Sequence, residues 1–412
     1  MSFAVIVMIG ALCASHIVSQ FLRSSTGVIA KDLTHDIAAS PEQLGLLGGA
    51  FFLVFAFAQI PMGVMLDRYG ARRVMSISMI LAVSGCFLFA QQESLEGLLT
   101  GRALMGLGCS CLLMGPVFVY SRWFPADRLA TFTGLQVSIG GIGTLLATAP
   151  LAFAAATIGW RGAFYIAAAA TAIVAVAVAF LVVDTPGHKD APNPRTESLV
   201  ESLSGVVEIF RNRQTPLLFA MQFTGYACFI SVLGLWGAPY LTDVHGLSQS
   251  QAGEILFMMA LAIMAAQALW GPIDRILNSR KKPVIAGATL TAGLLAILGL
   301  WPSPPVWAAA SLLIILGLVG GYTPIVLVHG RYLFPERLAA RGMTTLNMGV
   351  MLGVSFFQSV SGVVIGRYDL INGAYPEIAY RSVFGLLSLS LFTAVGIYAF
   401  STDAKPNPKF SR

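Results

Sequence analysis

Twelve apolar stretches, each roughly twenty residues or longer, set the terms on which this chain can fold. They run at about Phe3–Ala30, Leu44–Leu66, Val74–Ala90, Gly97–Tyr120, Leu129–Phe153 and Gly162–Val183. After a polar interval come Leu217–Leu241, Ala252–Pro272, Val284–Leu300, Val306–Val328, Thr344–Gly366 and Ile378–Phe400. A helix rising 1.5 Å per residue needs about twenty residues to cross a hydrocarbon layer of about 30 Å, so each stretch reads as one crossing. A chain that is 56% hydrophobic and 11% charged cannot hide that much apolar surface in a water-soluble core. The expected fold class is an all-α membrane protein with twelve transmembrane helices, solvated by the lipid bilayer.

The charges say which way it is threaded. Nineteen of the 25 lysines and arginines fall in segments that this assignment places on one side. They include Arg68, Arg72, Arg73, Arg122, Arg275, Lys281, Arg331, Lys405 and Arg412. Two, Arg23 and Arg102, lie inside spans, and Lys31, Arg161, Arg367 and Arg381 lie opposite. Such an asymmetry predicts both termini in the cytoplasm of a multi-pass inner-membrane protein. It also accounts for the net charge of +6 without nucleic acid as a partner. The five cysteines sit in apolar runs without disulfide or metal-ligand spacing, so no metal site is expected. The first twenty residues lack a basic leader, so no cleavable signal is expected.

The polar interval Asp184–Thr215 separates residues 1–183 from 216–402, six spans each, with 403–412 as a tail. Leu199, Leu203, Val206, Val207 and Phe210 recur at helical spacing, so Thr196–Arg213 is expected to lie along the membrane surface as an amphipathic helix, with an unstructured linker as the alternative. The two halves repeat each other. GVMLDRYGARR, from Gly63, returns as GPIDRILNSRKK, placing Asp274 and Arg275 where Asp67 and Arg68 stood. RWFPADRLA, from Arg122, returns as RYLFPERLA, from Arg331. Two motifs recurring at nearly one offset imply two homologous six-helix bundles.

GVMLDRYGARR closely resembles the loop between helices two and three of the major facilitator superfamily of secondary transporters. The resemblance extends over essentially the whole chain. It implies two pseudo-symmetric six-helix bundles that expose a central site to each side alternately. The motif residues Asp67, Arg68, Arg72 and Arg73 are then expected to gate one face. The positive N-terminal end of span eleven should approach Asp67. The resemblance further implies that Asp67 pairs with Arg122 and, by symmetry, that Asp274 pairs with Arg331 and the start of span five.

The cargo must be read from polar groups within spans, because placing them there is costly. His16, Gln20, Arg23 and Gly27 follow one another on a single helical face of span one. Arg102 in span four lies within a turn of the depth of Arg23, and no acid lies in the interior of a first-half span. Two guanidinium groups without fixed counter-ions suit an anion such as a carboxylate. FLRSSTGVIAKDL, which contains Arg23, resembles span one of the organic anion symporter branch. That branch has an Asp-Arg pair tied to proton coupling; this chain has Leu22-Arg23. In the second half, Gln222, Tyr226, Gln267, Trp270, Tyr322 and Gln358 supply neutral lining. Tyr226 and Gln358 are taken as site residues.

Span five lacks the Gly-Pro signature of drug exporters, and the glycine-rich signature of nitrate porters is absent too. No nucleotide-binding loop or nucleophile elbow appears, so an enzyme, a pump or a bound cofactor is not expected. The reading is a monomeric secondary transporter of a small organic anion, driven by proton symport or by exchange. An exporter of an amphipathic or cationic compound, or a receptor that transports nothing, is the alternative.

Overall fold

A segment surrounded by lipid has to pair its backbone groups internally, and a helix does so residue by residue. The computed structural model of the protein describes residues 2–186, 207–334, 339–371 and 373–406. Its elements are helical, and the only β pairing among the described residues is an isolated bridge between Ile371 and Ala374. The first half comprises α1 (Phe3–Ser24), α2 (Ala30–Ile37), α3 (Pro41–Tyr69), α4 (Ala71–Gln91), α5 (Leu95–Cys109), α6 (Met114–Trp123), α7 (Ala126–Leu146) and α8 (Ala149–Leu181). The second comprises α9 (Thr215–Ser231), α10 (Gly237–Asp243), α11 (Gln249–Trp270), α12 (Ile273–Ile276), α13 (Lys281–Leu300), α14 (Val306–Val319), α15 (Thr323–Leu333), α16 (Ala339–Ile365) and α17 (Glu377–Tyr398).

Among the described residues eleven stretches are long and apolar enough to cross a membrane, but Thr131–Leu181 has 51 residues. One crossing needs about twenty. Gly159, at φ 75° and ψ 158°, breaks α8 within it, in a conformation open to glycine and closed to most other residues. The stretch is therefore two crossings, and the described residues hold twelve. The break falls between the expected spans, which end at Phe153 and start at Gly162.

Several crossings are not continuous helices. Span one, expected to run to Ala30, stops at Ser24, and residues 25–29 turn before α2 begins. Span seven has a π-helical turn, Val232–Trp236, between α9 and α10. Span four opens at 110–113, and span ten tightens into a 3₁₀ turn at Gly320–Tyr322. These irregularities obey the offsets of the sequence repeat: 25–29 corresponds to 232–236, and 110–113 to the turn at 320–322. The duplication thus extends to where the backbone departs from the α-helix.

The chain forms two compact units, Met1–Ser25 with Ala50–Ser202, and Thr26–Gly49 with Leu203–Arg412. In the first, α4 packs on α5 and α8, and α1 packs on α7. Gln136 of α7 ties three helices together. Its Nε2 donates to Leu12 O at 2.8 Å, and its Oε1 accepts from Tyr120 Oη at 2.7 Å and from Cys13 Sγ at 3.3 Å. Gln136→Leu strands all three groups and should cost on the order of 1–2 kcal/mol. The check is a lower melting temperature in detergent, with Gln92→Leu as a half-buried control.

In the second unit, α9 packs on α16 and α17, and α13 packs on α17. Residues 26–49 bind here through backbone and side chains. Gly27 N–H donates to Gly234 O at 2.8 Å. Gln249 Nε2 donates to Val28 O at 2.8 Å and to Asp32 Oδ2 at 2.9 Å. Lys31 Nζ lies 3.9 Å from Asp243 Oδ1. A Cβ on Gly27 would sit 2.7 Å from Gly234 C and Leu235 N, so only glycine permits this approach.

Each half closes in the same way after its sixth span. Asp184 Oδ1 accepts the Arg72 N–H at 2.9 Å, at the start of α4. Asp403 Oδ1 accepts the Arg280 and Lys281 N–H groups, both at 3.1 Å, at the start of α13, and its Oδ2 accepts Ser279 Oγ at 2.6 Å. A carboxylate there meets unpaired helix N–H groups and the positive end of the dipole. Burial pushes the Asp403 carboxyl up, but the Ser279 hydroxyl and the two backbone donors outweigh it, and the group is held below its ordinary value of 3.8. A depressed carboxylate adds stability at neutral pH that is lost as the pH falls through its folded value, below about 3.8. Asp403→Asn should lower the melting temperature at pH 7 and narrow its difference from wild type towards pH 3.

Of the amphipathic helix expected at Thr196–Arg213, residues 196–206 lie outside the described residues, as does Pro335 of the repeated motif. Residues 207–210 form a helical turn.

Candidate functional site

The two intramembrane arginines of the first unit come together, but in different roles. Arg102 is fully buried. Its Nη1 donates to Leu22 O at 2.7 Å, in the last turn of α1, and its guanidinium lies 5.0 Å from the centre of the Phe51 ring. Carbonyls at a helix C-terminus lack intrahelical donors and carry the negative end of the dipole. Arg102 therefore serves α1 first, which places it beside Arg23 at one depth, as the sequence leads one to expect.

Arg23 is 7% exposed. Its guanidinium lies 5.0 Å from the centre of the Phe55 ring, its Nε is buried without a hydrogen-bond partner, and among the described residues no carboxylate pairs with it. A buried guanidinium retains its charge, and its five donors lie in a planar fork suited to a carboxylate. Phe51 and Phe55 are one turn apart on α3, and Gln59, one turn further, is buried with an unpaired Oε1. Gln59 was missed from the sequence. An interior amide on the same face as two phenylalanines is the signal that would have found it.

His16 is 3% exposed, and its Nδ1 has no partner. Its ring fills the notch left by Gly140 of α7, where a Cβ would collide with it. Gln20, half-buried with an unpaired Oε1, follows one turn on. The first unit thus holds an unpaired guanidinium, an imidazole and two amides without partners.

In the second unit Tyr226 is half-buried and edge-on to Phe229, with ring centres 4.8 Å apart. Gln358 is buried against Gly45 and Gly48. Its carbonyl accepts Ser361 Oγ at 2.9 Å, and that hydroxyl accepts Trp236 Nε1 at 2.6 Å. Gln358 therefore holds the start of α3 to α16, and its Oε1 is buried without a hydrogen-bond partner.

The motif residues lie at helix ends. Asp67, Arg68 and Arg73 are exposed. Arg68 lies 5.3 Å from the centre of the Tyr69 ring, and Arg72 Nε donates to Ala179 O at 2.6 Å. Arg122 lies over Phe118 at 3.9 Å and makes no ion pair among the described residues, so the pairing with Asp67 that the resemblance implies is not formed. In the second copy Asp274 pairs with Arg280 Nε at 3.6 Å rather than with Arg331, which is exposed, as is Arg275. Arg280 is the nearer cation, and the Tyr332 ring, 3.6 Å from its guanidinium, holds it there.

Twelve crossings, a duplicated half and a buried cation without a counter-ion define a membrane transporter of the secondary type. The chain belongs to the Major Facilitator Superfamily, whose family model matches residues 12–358 and again 218–412. It is 26% identical over 298 residues to a putative tartrate transporter of Agrobacterium vitis, covering 66% of each chain. It is 27% identical over 292 residues to a probable nitrate/nitrite transporter of Mycobacterium tuberculosis, covering 69% of this chain and 70% of that one. The chain thus spans about two thirds of the length of the curated relatives it matches. In fold it is similar to the nucleoside transporter NupG, with a TM-score of 0.73 at 16% identity over 97% of this chain and 100% of that one. It is also similar to a bacterial homologue of the human lysosomal transporter Spinster, with a TM-score of 0.73 at 19% identity over 97% and 95%. These relatives and fold neighbours are transporters, not enzymes.

Proposed function

We propose that the protein moves a small organic anion, a carboxylate, across the inner membrane by alternating access, with Arg23 as the group that holds it. The observation that carries this reading is the buried Arg23 guanidinium, with no carboxylate partner among the described residues. A buried charge is tolerated when a partner arrives, and a carboxylate accepts two parallel N–H bonds from it. Arg102 adds positive potential at the same depth, and Gln20 and Gln59 offer bonds to the polar remainder of an organic ion. The tartrate and nitrate/nitrite transporters among the relatives support an anion in general. Nitrate, without donors, would leave the two amide oxygens unpaired, so an organic ion is favoured.

The asymmetry of the basic segments supports both termini lying in the cytoplasm. Asp67, Arg68, Arg72, Arg73 and Arg122 in one half, and Asp274, Arg275 and Arg331 in the other, gate the cytoplasmic face. Tyr226 and Gln358 complete the lining from the second half, and the monomer is the working form. Coupling is by proton symport or by exchange. Reconstituted protein should take up radiolabelled tartrate, with galactarate, lactate, nitrate and a quaternary amine as competitors. Competition by carboxylates supports the reading. Competition by the amine alone would replace it with cation export, and binding without uptake would make the protein a receptor.

A further inference from the structure

We propose that His16 carries the proton that accompanies the anion. This rests on the reading of Arg23 as the anion's partner. A symporter needs a group that gains a proton with its cargo and loses it afterwards. In the first half, Glu42, Asp67 and Glu96 all fall in the first or last turn of their helices, and Leu22, not an acid, precedes Arg23. Imidazole is the one side chain whose ordinary ionisation falls between pH 5 and 8. His16 is buried, its Nδ1 has no partner, and it lies two turns from Arg23 on the same helix, roughly 10 Å along the axis.

The surroundings are nearly all neutral or positive. On α1 the other ionisable groups are Cys13 and Arg23. From α5 come Arg102 and the buried thiol of Cys109. From α7, Gln136 and Gly140 face α1, and the exposed Arg128 lies at that helix's start. From α8 there is the buried, hydrogen-bonded Thr171, with Arg161 donating to Gln92 O instead. The Tyr120 phenol of α6 donates to Gln136. α3 contributes Phe51, Phe55 and Gln59. A proton on His16 before the anion arrives would add a third buried positive charge, beside Arg23 and Arg102, with nothing to offset it. An anion on Arg23 removes that objection. One imidazole then takes one proton from water on the loading side and returns it to water on the other, and a monoanion crosses as a neutral pair.

Full-length protein in liposomes decides it, with tartrate and nitrate each as probe. Equilibrium exchange, which needs no net proton movement, is measured beside accumulation driven by a gradient of one pH unit of either polarity. With the membrane potential clamped at zero, so that the second charge of tartrate does not count, one proton per anion should give about tenfold accumulation of either probe in wild type. His16→Gln should keep exchange, lose its pH dependence, and accumulate neither anion above the equal-pH level. Gradient-driven accumulation that survives in His16→Gln overturns the proposal. So does parallel loss of exchange and accumulation in both His16→Gln and His16→Asn, which marks a packing role. Wild type that exchanges an anion but ignores the gradient overturns the coupling alone. Wild type that exchanges neither probe overturns the anion reading and this proposal with it.

Discussion

Arg23→Ala should abolish tartrate-induced thermal stabilisation and uptake while leaving membrane insertion and the melting temperature of the empty protein nearly unchanged. Removing one member of a buried, hydrogen-bonded charge pair costs about 2–5 kcal/mol, or roughly thirtyfold to several thousandfold in affinity. Little stability is lost in the empty protein, because the guanidinium has no acid to strand. Arg23→Lys keeps the charge and loses the fork, so its affinity should fall between the two. Arg102→Ala should behave differently. It frees the Leu22 carbonyl and the Phe51 face, so the empty protein itself should melt lower. Equal ligand stabilisation in Arg23→Ala and wild type would remove Arg23 from the site.

Gly27→Val is expected to be nearly as damaging, for a backbone reason. Its side chain would be forced against Gly234 and Leu235, and the bond from Gly27 N–H to Gly234 O could not form. Forced overpacking of this kind costs about 1–3 kcal/mol, enough to depopulate the joined state by roughly five- to 150-fold. Uptake should fall by a comparable factor with expression unchanged. Gly10→Val is the control, because a Cβ there meets nothing within 4 Å. Wild-type uptake by Gly27→Val would show that transport does not pass through this contact.

Much of the fold was legible because lipid imposes a length and an apolarity that a sequence cannot disguise. The crossings, their number and the duplication are all visible in residue order. The interruptions at 25–29, 110–113, Val232–Trp236 and Gly320–Tyr322 were not, since the apolar runs continue through them and hydrophobicity does not report backbone dihedrals. The site was legible in part. Costly residues such as Arg23 and His16 announce themselves inside a span. Who pairs with whom does not, because partners are set by tertiary neighbours. Arg102 meets the end of α1, Arg122 meets Phe118 instead of Asp67, and Asp274 meets Arg280 instead of Arg331. Gln136 and Gln59 were overlooked because a lone amide in an apolar run looks incidental until its neighbours are known.

The shared register of the helix interruptions has a consequence for how the molecule bends. A joint inherited twice from one ancestral part leaves the two copies with their weak points at matching places. If one half flexes more easily than the other, the cause must lie in what surrounds the joint, since even a proline follows it in both copies, Pro116 beyond 110–113 and Pro324 beyond Gly320–Tyr322. Stiffening a single joint should therefore turn a balanced mechanism into a lopsided one.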